Sequence, residues 1–201
     1  LDAPAGGLLK LDLEARGITV LCDANSQEIL AGTDGRVRAL MLADGTELPC
    51  DLLVMAVGVR PNTALAAPAG LDVNKGIVVD DAMRTSAPDV YALGECVEHR
   101  GAVFGLVAPL YDQAEVLAKT LLGDTAVFTP KQLSTKLKVT GCDVFSAGDF
   151  SDGDDRQNIV FQDKEHGVYK RLVIQGNHLV GAVMYGDTAD GAWFYSHITN
   201  G

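Results

Sequence analysis

The sequence predicts an α/β fold followed by a smaller, mostly β unit. A helical pattern that closes at Gly17 is followed directly by the β-branched run Ile18–Cys22, which is the helix-to-strand step of an α/β unit. A second helical pattern, Ala108–Leu122, closes at Gly123. Beyond Thr125 the chain changes to short strand patterns with Gly or Asp at the turns, which indicates a separate unit.

The first half of the chain predicts one helix, two strands and a meander. Residues Pro4–Arg16 mix leucines with small and charged residues and predict a helix, for which Gly17 is the C′ residue. Ile18–Cys22 predicts a buried strand, and the apolar run Leu52–Gly58 predicts a strand that is covered on both faces of its sheet. Between them, Asp-Gly turns separate three patterns that predict an antiparallel meander: Asn25–Gly32, Val37–Leu42 and Glu47–Cys50. Pro61 then predicts a crossover loop, because it fixes its own φ and keeps Arg60 out of the helical region.

The second half predicts two further strands, a helix and the mostly β unit. Gly76–Asp80 and Val90–Leu93 are read as short strands, and the second ends in Gly94-Glu95. Ala108–Leu122 is an amphipathic helix with Pro109 in its first turn. The last unit is predicted to contain the strands Leu137–Val139, Val144–Ser146, Ile159–Gln162, Val168–Ile174 and Leu179–Met184 and a helix within Ala189–Ile198.

Composition and charge exclude several classes of protein. The 201 residues carry 16 basic and 27 acidic side chains, a net charge of −11, so nucleic acid is not an expected partner. No apolar run approaches the ~20 residues that span a membrane, so we expect a soluble, cytoplasmic protein. The four cysteines have no CxxC spacing and the four histidines form no ligand pattern, so we predict no metal site.

The strand that ends in Gly94-Glu95 provides a candidate ligand site. Ligands of open α/β sheets bind at the carboxyl ends of strands, close to helix N-termini. Gly94 permits close approach of a ligand to the backbone, and Glu95 is a carboxylate that can accept a hydrogen bond from a hydroxyl. The start of the helix Ala108–Leu122 adds unpaired N–H donors. On spacing alone, an ordinary loop carboxylate and a turn glycine explain the same residues.

Two motifs resemble those of flavoprotein reductases with two dinucleotide-binding domains. Thr85–Cys96 is similar to their second FAD-binding motif, T-x-x-P-x-[IV]-[YF]-A-x-G-[DE], and Leu53–Asn62 to the motif that returns the chain from the NAD(P)H domain to the FAD domain. The variant Gly94–His99, followed by Leu106–Ala114, most resembles the large subunit of NAD(P)H-dependent assimilatory nitrite reductases. Ser134–Gly141 resembles the start of the C-terminal domain of that group.

The resemblance implies FAD and NAD(P)H as cofactors and assigns roles to six residues. Glu95 takes the position whose carboxylate binds a ribityl hydroxyl of FAD, and Gly94 gives access to the backbone. Ala108, Pro109 and Leu110 match the helix start that faces the electron-rich edge of the isoalloxazine, and Gly58 matches the loop near the nicotinamide nucleotide. Glu at position 95 replaces the commoner Asp. No side chain is a candidate catalytic acid, base or nucleophile.

The resemblance also implies a fragment of a larger enzyme. The family carries two G-x-G-x-x-G fingerprints, which this sequence lacks, and it lacks the cysteine clusters of an iron–sulfur centre beside siroheme. We therefore expect a partial two-dinucleotide-binding-domain flavoprotein fold, with residues 1–60 ending the NAD(P)H domain, 61–124 ending the FAD domain, and a small α+β C-terminal domain at 125–201. Electrons would pass from NAD(P)H through FAD to downstream siroheme and iron–sulfur domains of the same polypeptide. The isolated segment is expected to be inactive.

Two alternatives stay open. Rubredoxin reductases and NADH oxidases share the motifs. In the other alternative the chain is a non-catalytic interface module, whose strands and Trp193-Phe194-Tyr195 cover a partner's flavin or support a homodimer. Packing within the unit is the simpler role for these three aromatic residues.

Overall fold

The computed structural model describes residues 1–139 and 141–200. In chain order its elements are α1 (Ala3–Ala15), β1 (Ser26–Ala31), β2 (Val37–Leu42), β3 (Glu47–Pro49), β4 (Ile77–Val79), β5 (Val97–His99), β6 (Ala102–Val103), α2 (Val107–Leu121), β7 (Ser134–Val139), β8 (Cys142–Gly148), β9 (Arg156–Asp163), β10 (Val168–Gln175), β11 (His178–Tyr185) and α3 (Gly191–Asn200). They fall into two compact units, Leu1–Leu53 with Gln132–Gly201, and Val54–Lys131. The predicted division into three domains at residues 60 and 124 stays a prediction.

The first unit is built on a five-stranded antiparallel sheet in the order β7-β8-β11-β10-β9. One face is covered by α1, whose Ala5 lies in a buried cluster with Val144 and Tyr169. The other face is covered by α3, where Ile198 packs with Phe145 and other residues of β8 and β11. The five predicted strands are thus confirmed, with longer bounds than the sequence indicates, and the C-terminal helix is confirmed two residues further along the chain, at Gly191–Asn200.

Capping explains the ends of α1, and turns explain the meander. The Asp2 carboxylate accepts a hydrogen bond from the N–H of Ala5 at 3.2 Å and caps the helix, which ends before Gly17 at φ +83°. Strands β1, β2 and β3 form the predicted antiparallel meander. Gly35 and Gly45 adopt positive φ in its two turns, as the Asp-Gly patterns indicate.

The second unit contains β4, β5, β6 and α2. Strand β4 pairs in parallel with β5, and β5 pairs antiparallel with β6. The core between this sheet and α2 contains Val79, Val97 and Phe128, with Leu117 of α2 packed against it. Helix α2 has Pro109 in its first turn and ends before Gly123 at φ +87°, as predicted.

Three predicted strands are wrong. Ile18–Cys22 and Leu52–Gly58 have no regular structure, because neither run has a strand beside it in residues 1–139 and 141–200 with which to exchange backbone hydrogen bonds. Within the second run, Val57 is 86% exposed. Val90–Leu93 contains only an isolated bridge, from Tyr91 to Arg84. The strand that pairs with β4 lies further along the chain, at Val97–His99, because parallel pairing with Ile77–Val79 selects it.

Candidate functional site

The Gly94-Glu95 turn lies between the Tyr91 bridge and β5, and a side chain of α2 holds it in place. The N–H of Gly94 donates to Oε1 of Gln113 at 2.8 Å, across 19 residues of sequence. Gln113 is fully buried, with 0% of its surface exposed. This hydrogen bond connects the turn to the middle of α2.

The backbone at Gly94 is open to a ligand. Gly94 has φ +104°, and a Cβ built there would meet no atom within 4 Å. A residue with a side chain is strained at this φ, whereas glycine adopts it freely. The space beside Gly94 therefore permits a ligand to approach the main chain.

Glu95 extends from this turn into solvent. Its side chain is exposed and makes no hydrogen bond or ion pair with any other residue that the structure describes. A carboxylate without an internal partner keeps its acceptor capacity for a ligand. The structure thus leaves the Glu95 carboxylate available to a ligand, and its predicted role in binding a ribityl hydroxyl stays a prediction.

The start of α2 offers backbone donors. Its N-cap is Leu106, an apolar residue whose side chain cannot accept a hydrogen bond from the first turn. Of the three residues predicted here, Ala108 is exposed, Leu110 is half-buried, and Pro109 is buried and has no N–H. The available donors are therefore the N–H groups of the first helical residues, which include Ala108.

Gly58 belongs to the same unit, in an exposed segment with φ +91°. The next residue, Val59, approaches the loop before α2: a Cβ built on Gly105 would lie 3.8 Å from Cγ2 of Val59. Through Val59, the segment that contains Gly58 therefore lies close to the loop that precedes α2. Its predicted role near a nicotinamide nucleotide remains untested.

The sequence reasoning missed a buried carboxylate, Glu98, in β5. It accepts hydrogen bonds from Nδ2 of Asn74 at 3.0 Å and from the N–H groups of Lys75 and Gly76 at 2.7 and 3.1 Å. Burial raises its pKa, but these hydrogen bonds, led by that of Gly76, outweigh burial and place the pKa below the usual value of 4.5. Glu98 thereby orders the loop before β4. Because no strand is predicted at Val97–His99, no sequence pattern indicates that this carboxylate is buried.

A second missed cluster surrounds Asp81. His99 Nε2 lies 2.8 Å from Asp81 Oδ1, and Arg100 donates two hydrogen bonds to the same carboxylate at 2.9 and 2.6 Å. These contacts, the Arg100 hydrogen bond first and then that of His99, lower the pKa of Asp81. The His99 ring packs edge-on against Phe128 at 5.0 Å between centroids. The cluster connects the end of β5 to the loop after β4.

Other residues considered in the sequence have ordinary surroundings. The four cysteines are free thiols, with Cys142 buried and Cys96 half-buried. No group of three or more potential metal-ligating side chains occurs among the described residues, and no described helix is long and apolar enough to cross a membrane. Phe194 and Tyr195 of α3 pack against the buried cluster of the five-stranded sheet, as expected, whereas Trp193 of the same helix is 59% exposed.

Two family profiles match the chain. The pyridine nucleotide-disulphide oxidoreductase profile covers residues 1–116, and the C-terminal domain profile of rubredoxin NAD+ reductase covers residues 134–201. The second match begins at the Ser134–Gly141 motif, of which Thr140 lies outside the described residues. Together the two profiles account for most of the sequence.

Curated relatives and solved structures agree with these matches. The chain is 50% identical over 199 residues to a nitrite reductase [NAD(P)H] of Bacillus subtilis and 40% identical over 196 residues to the nitrite reductase (NADH) large subunit of Escherichia coli. It covers 98% and 94% of its own length in these comparisons but only 24% and 23% of theirs. A ferredoxin reductase structure from Rhodopseudomonas palustris matches 96% of the chain and 48% of that protein, with 26% identity and a TM-score of 0.80. This likeness confirms the predicted fold class.

Proposed function

The chain belongs to the pyridine nucleotide-disulphide oxidoreductase family, and we propose that it forms the part of an FAD-dependent NAD(P)H oxidoreductase that holds the ribityl chain and one edge of the flavin ring. Family membership implies the use of FAD and NAD(P)H. The observation that carries the proposal is the hydrogen bond from Gly94 N–H to Gln113, which connects the open Gly94-Glu95 turn to the seventh residue of α2.

The residues of the site fit an electron-rich, hydroxylated cofactor. Gly94 leaves room for the ligand beside the main chain, and Glu95 would accept a hydrogen bond from a ribityl hydroxyl. The positive end of the α2 dipole and its free N–H groups would face the electron-rich edge of the ring, at Ala108 to Leu110. FAD, when bound, supplies the redox chemistry, and the protein orients it. In this proposal Gly58 lies near the nicotinamide nucleotide.

For the whole protein we propose nitrite reduction. The two nitrite reductase relatives support this, since they align over nearly all of the chain. In this proposal electrons pass from NAD(P)H through FAD to siroheme and iron–sulfur domains of the same polypeptide, in the cytoplasm. Residues 1–60, 61–124 and 125–201 then belong to the NAD(P)H, FAD and C-terminal domains.

A rubredoxin reductase is the second candidate. It is favoured by the profile matched at residues 134–201 and by a rubredoxin-NAD(+) reductase of Alcanivorax borkumensis that is 44% identical over 103 residues. The two candidates share the flavin site and differ in the electron acceptor. Supplying the full-length gene product with NADH and either nitrite or oxidised rubredoxin distinguishes them by which acceptor is consumed.

The flavin site is tested by replacing Glu95 with Ala in the full-length gene product and titrating the apoprotein with FAD. A hydrogen bond to a charged group contributes about 1.5–3 kcal/mol, so the affinity for FAD should fall by roughly 10- to 100-fold. Glu115→Ala is the matched control, because Glu115 is an exposed glutamate of α2 whose described partner is Lys119. An unchanged affinity in Glu95→Ala contradicts the assignment of Glu95. A full-length protein that binds no FAD supports the interface module instead.

A further inference from the structure

A groove lies between α3 and the end of the hairpin that β10 and β11 form, within the first unit. Its volume is about 400 Å³, which falls in the range of roughly 300–1,000 Å³ that small-molecule sites occupy. Residues of the two strands, their turn and the helix line it: Leu172, Ile174, Asn177, His178, Leu179, Trp193, Phe194 and His197. The groove therefore shares no residue with the proposed flavin site, whose residues all belong to the second unit.

The floor of the groove is apolar, and one wall is an indole ring. Leu172, Leu179 and Phe194 are half-buried and pack against the buried cluster beneath α3. Trp193, the single tryptophan of the chain, is 59% exposed. Its ring centroid lies 4.2 Å from that of His197 and 5.1 Å from that of Phe194, in edge-to-face contacts. These contacts hold the indole beside the groove, where it offers a surface on which a planar ring can stack.

Hydrogen-bond donors line the same groove. Four of its side chains carry an N–H group: those of Asn177, His178, Trp193 and His197. None of these side chains has a hydrogen-bond partner among residues 1–139 and 141–200. Indole can only donate, whereas the amide and a neutral imidazole can donate as well as accept. An acceptor atom on a ligand, such as a carbonyl oxygen, can therefore be bound by any of the four.

The charges of the groove and of the chain favour an uncharged ligand. None of the eight lining residues is Asp, Glu, Lys or Arg. The chain carries a net charge of −11, which repels an anion, and the groove has no ammonium or guanidinium group to offset this repulsion. A cation would find no carboxylate among the same eight residues with which to pair. A molecule without charge avoids both penalties.

We propose that this groove binds an uncharged, planar aromatic molecule that carries carbonyl oxygens. Its ring lies on the leucine floor and stacks on the Trp193 indole, so that apolar surface of both is removed from water. Its carbonyl oxygens accept hydrogen bonds from the imidazole N–H groups of His178 and His197. An apolar surface with a few polar groups that fix orientation is the usual construction of a small-molecule site.

Equilibrium dialysis of the full chain against coumarin, an uncharged aromatic lactone, tests the site. We expect one molecule to bind saturably, with a dissociation constant on the order of 1 mM or below. Trp193→Ala removes the stacking surface and should weaken binding by about fivefold or more. Phe161→Ala is the matched control, because Phe161 is an aromatic residue of the same sheet that is 57% exposed and does not line the groove.

Circular dichroism and thermal melting check that each variant folds. The proposal is overturned if coumarin shows no saturable binding up to its solubility limit. It is also overturned if Trp193→Ala binds coumarin as tightly as the parent chain does.

Removal of the donors at constant ring content tests the polar contacts. The double variant His178→Phe, His197→Phe keeps two aromatic rings at the groove but loses both imidazole N–H groups. It should bind coumarin about fivefold or more less tightly than the parent chain. Naphthalene, a fused ring pair of similar size without oxygen, should bind the double variant at least as tightly as the parent. If the double variant retains the parent's affinity for coumarin, the groove is a general apolar contact surface and the proposal is wrong.

The position of the ligand and its charge are tested on the same chain. Trp193 gives the one indole N–H resonance of the nitrogen–proton NMR spectrum, and coumarin should shift it with the dissociation constant found by dialysis. Coumarin carboxylate, an anion at neutral pH, should bind about fivefold or more less tightly than coumarin at low salt, and added salt should reduce this difference. Binding that leaves the indole resonance in place, or a preference for the anion, refutes the proposed site.

Discussion

Replacing Gln113 with Met separates positioning of the flavin site from stability of the unit that contains it. Gln113 is completely buried, and its Oε1 accepts the hydrogen bond from Gly94 N–H at 2.8 Å. Its Nε2 is also buried and has no hydrogen-bond partner among the described residues. Methionine is similar in length and volume, unbranched and apolar, so it fills the same space without either polar atom.

The two energetic consequences nearly cancel in stability. Loss of the hydrogen bond leaves the Gly94 N–H unpaired, at a cost of about 1–3 kcal/mol. Removal of the unpaired, buried Nε2 eliminates a desolvation cost of similar size, about 1–3 kcal/mol. The free energy of unfolding should therefore change by less than about 1 kcal/mol. The Gly94-Glu95 turn, however, loses its connection to α2, and a loss of about 1–2 kcal/mol in FAD binding corresponds to roughly 5- to 30-fold in affinity.

Thr120→Val is the control, because it should lower the stability of the protein without changing its affinity for FAD. Thr120 is also buried on α2, and its hydroxyl lies 3.2 Å from the carbonyl oxygen of Ala82 and 3.0 Å from that of Val116. Loss of this hydroxyl should cost about 1–2 kcal/mol of stability. Because Thr120 lies about 10 Å along the helix from Gln113, FAD affinity should be unchanged.

The assay is FAD titration of the full-length apoprotein together with denaturant unfolding of the same samples. We expect Gln113→Met to weaken FAD binding at nearly constant stability, and Thr120→Val to lower stability at constant FAD affinity. If Gln113→Met binds FAD within twofold of the parent protein, the reasoning that Gln113 positions the turn is refuted.

Further predictions concern stability. Glu98 has a lowered pKa in the folded state, so its carboxylate stabilises the fold above its unfolded-state pKa near 4.5 and this contribution is lost as the pH falls below that value. The difference in unfolding midpoint between the parent and Glu98→Gln should therefore be present at pH 7 and shrink in acid; a difference that is independent of pH contradicts this. Gly181→Ala should destabilise the protein by about 2 kcal/mol or more, because the new Cβ would lie 2.3 Å from the carbonyl oxygen of Asp149. Gly7→Ala, within α1 and with no atom within 4 Å of its Cβ position, should instead stabilise by about 0.5–1 kcal/mol in the same denaturant titration.

Local patterns predicted the helices, the meander and the strands of the last unit. Each of these depends on residues close in sequence: Gly17 and Gly123 end their helices at positive φ, and Asp-Gly turns separate the strands of the meander. In the five-stranded sheet, each strand pairs with at least one strand that is adjacent to it along the chain, as β10 does with β9 and β11. The candidate turn at Gly94-Glu95 was found in the same way, from a motif of consecutive residues.

Long-range pairing decided what the patterns could not. Leu52–Gly58 is apolar enough for a buried strand, but a strand also needs a neighbour for its backbone hydrogen bonds, and the described chain places none there. In the segment after Pro88, several runs can form a strand, and the parallel ladder with β4 selected Val97–His99.

The sequence by itself determined the family motifs and the helix ends, since these are properties of consecutive residues. The tertiary structure alone decided that Gln113 reaches Gly94, that Glu98 holds the loop at Asn74–Gly76, and that β9 is an edge. These contacts join residues some twenty positions apart or depend on which strands become neighbours. Their geometry follows from how the chain folds back on itself, which local propensity does not specify.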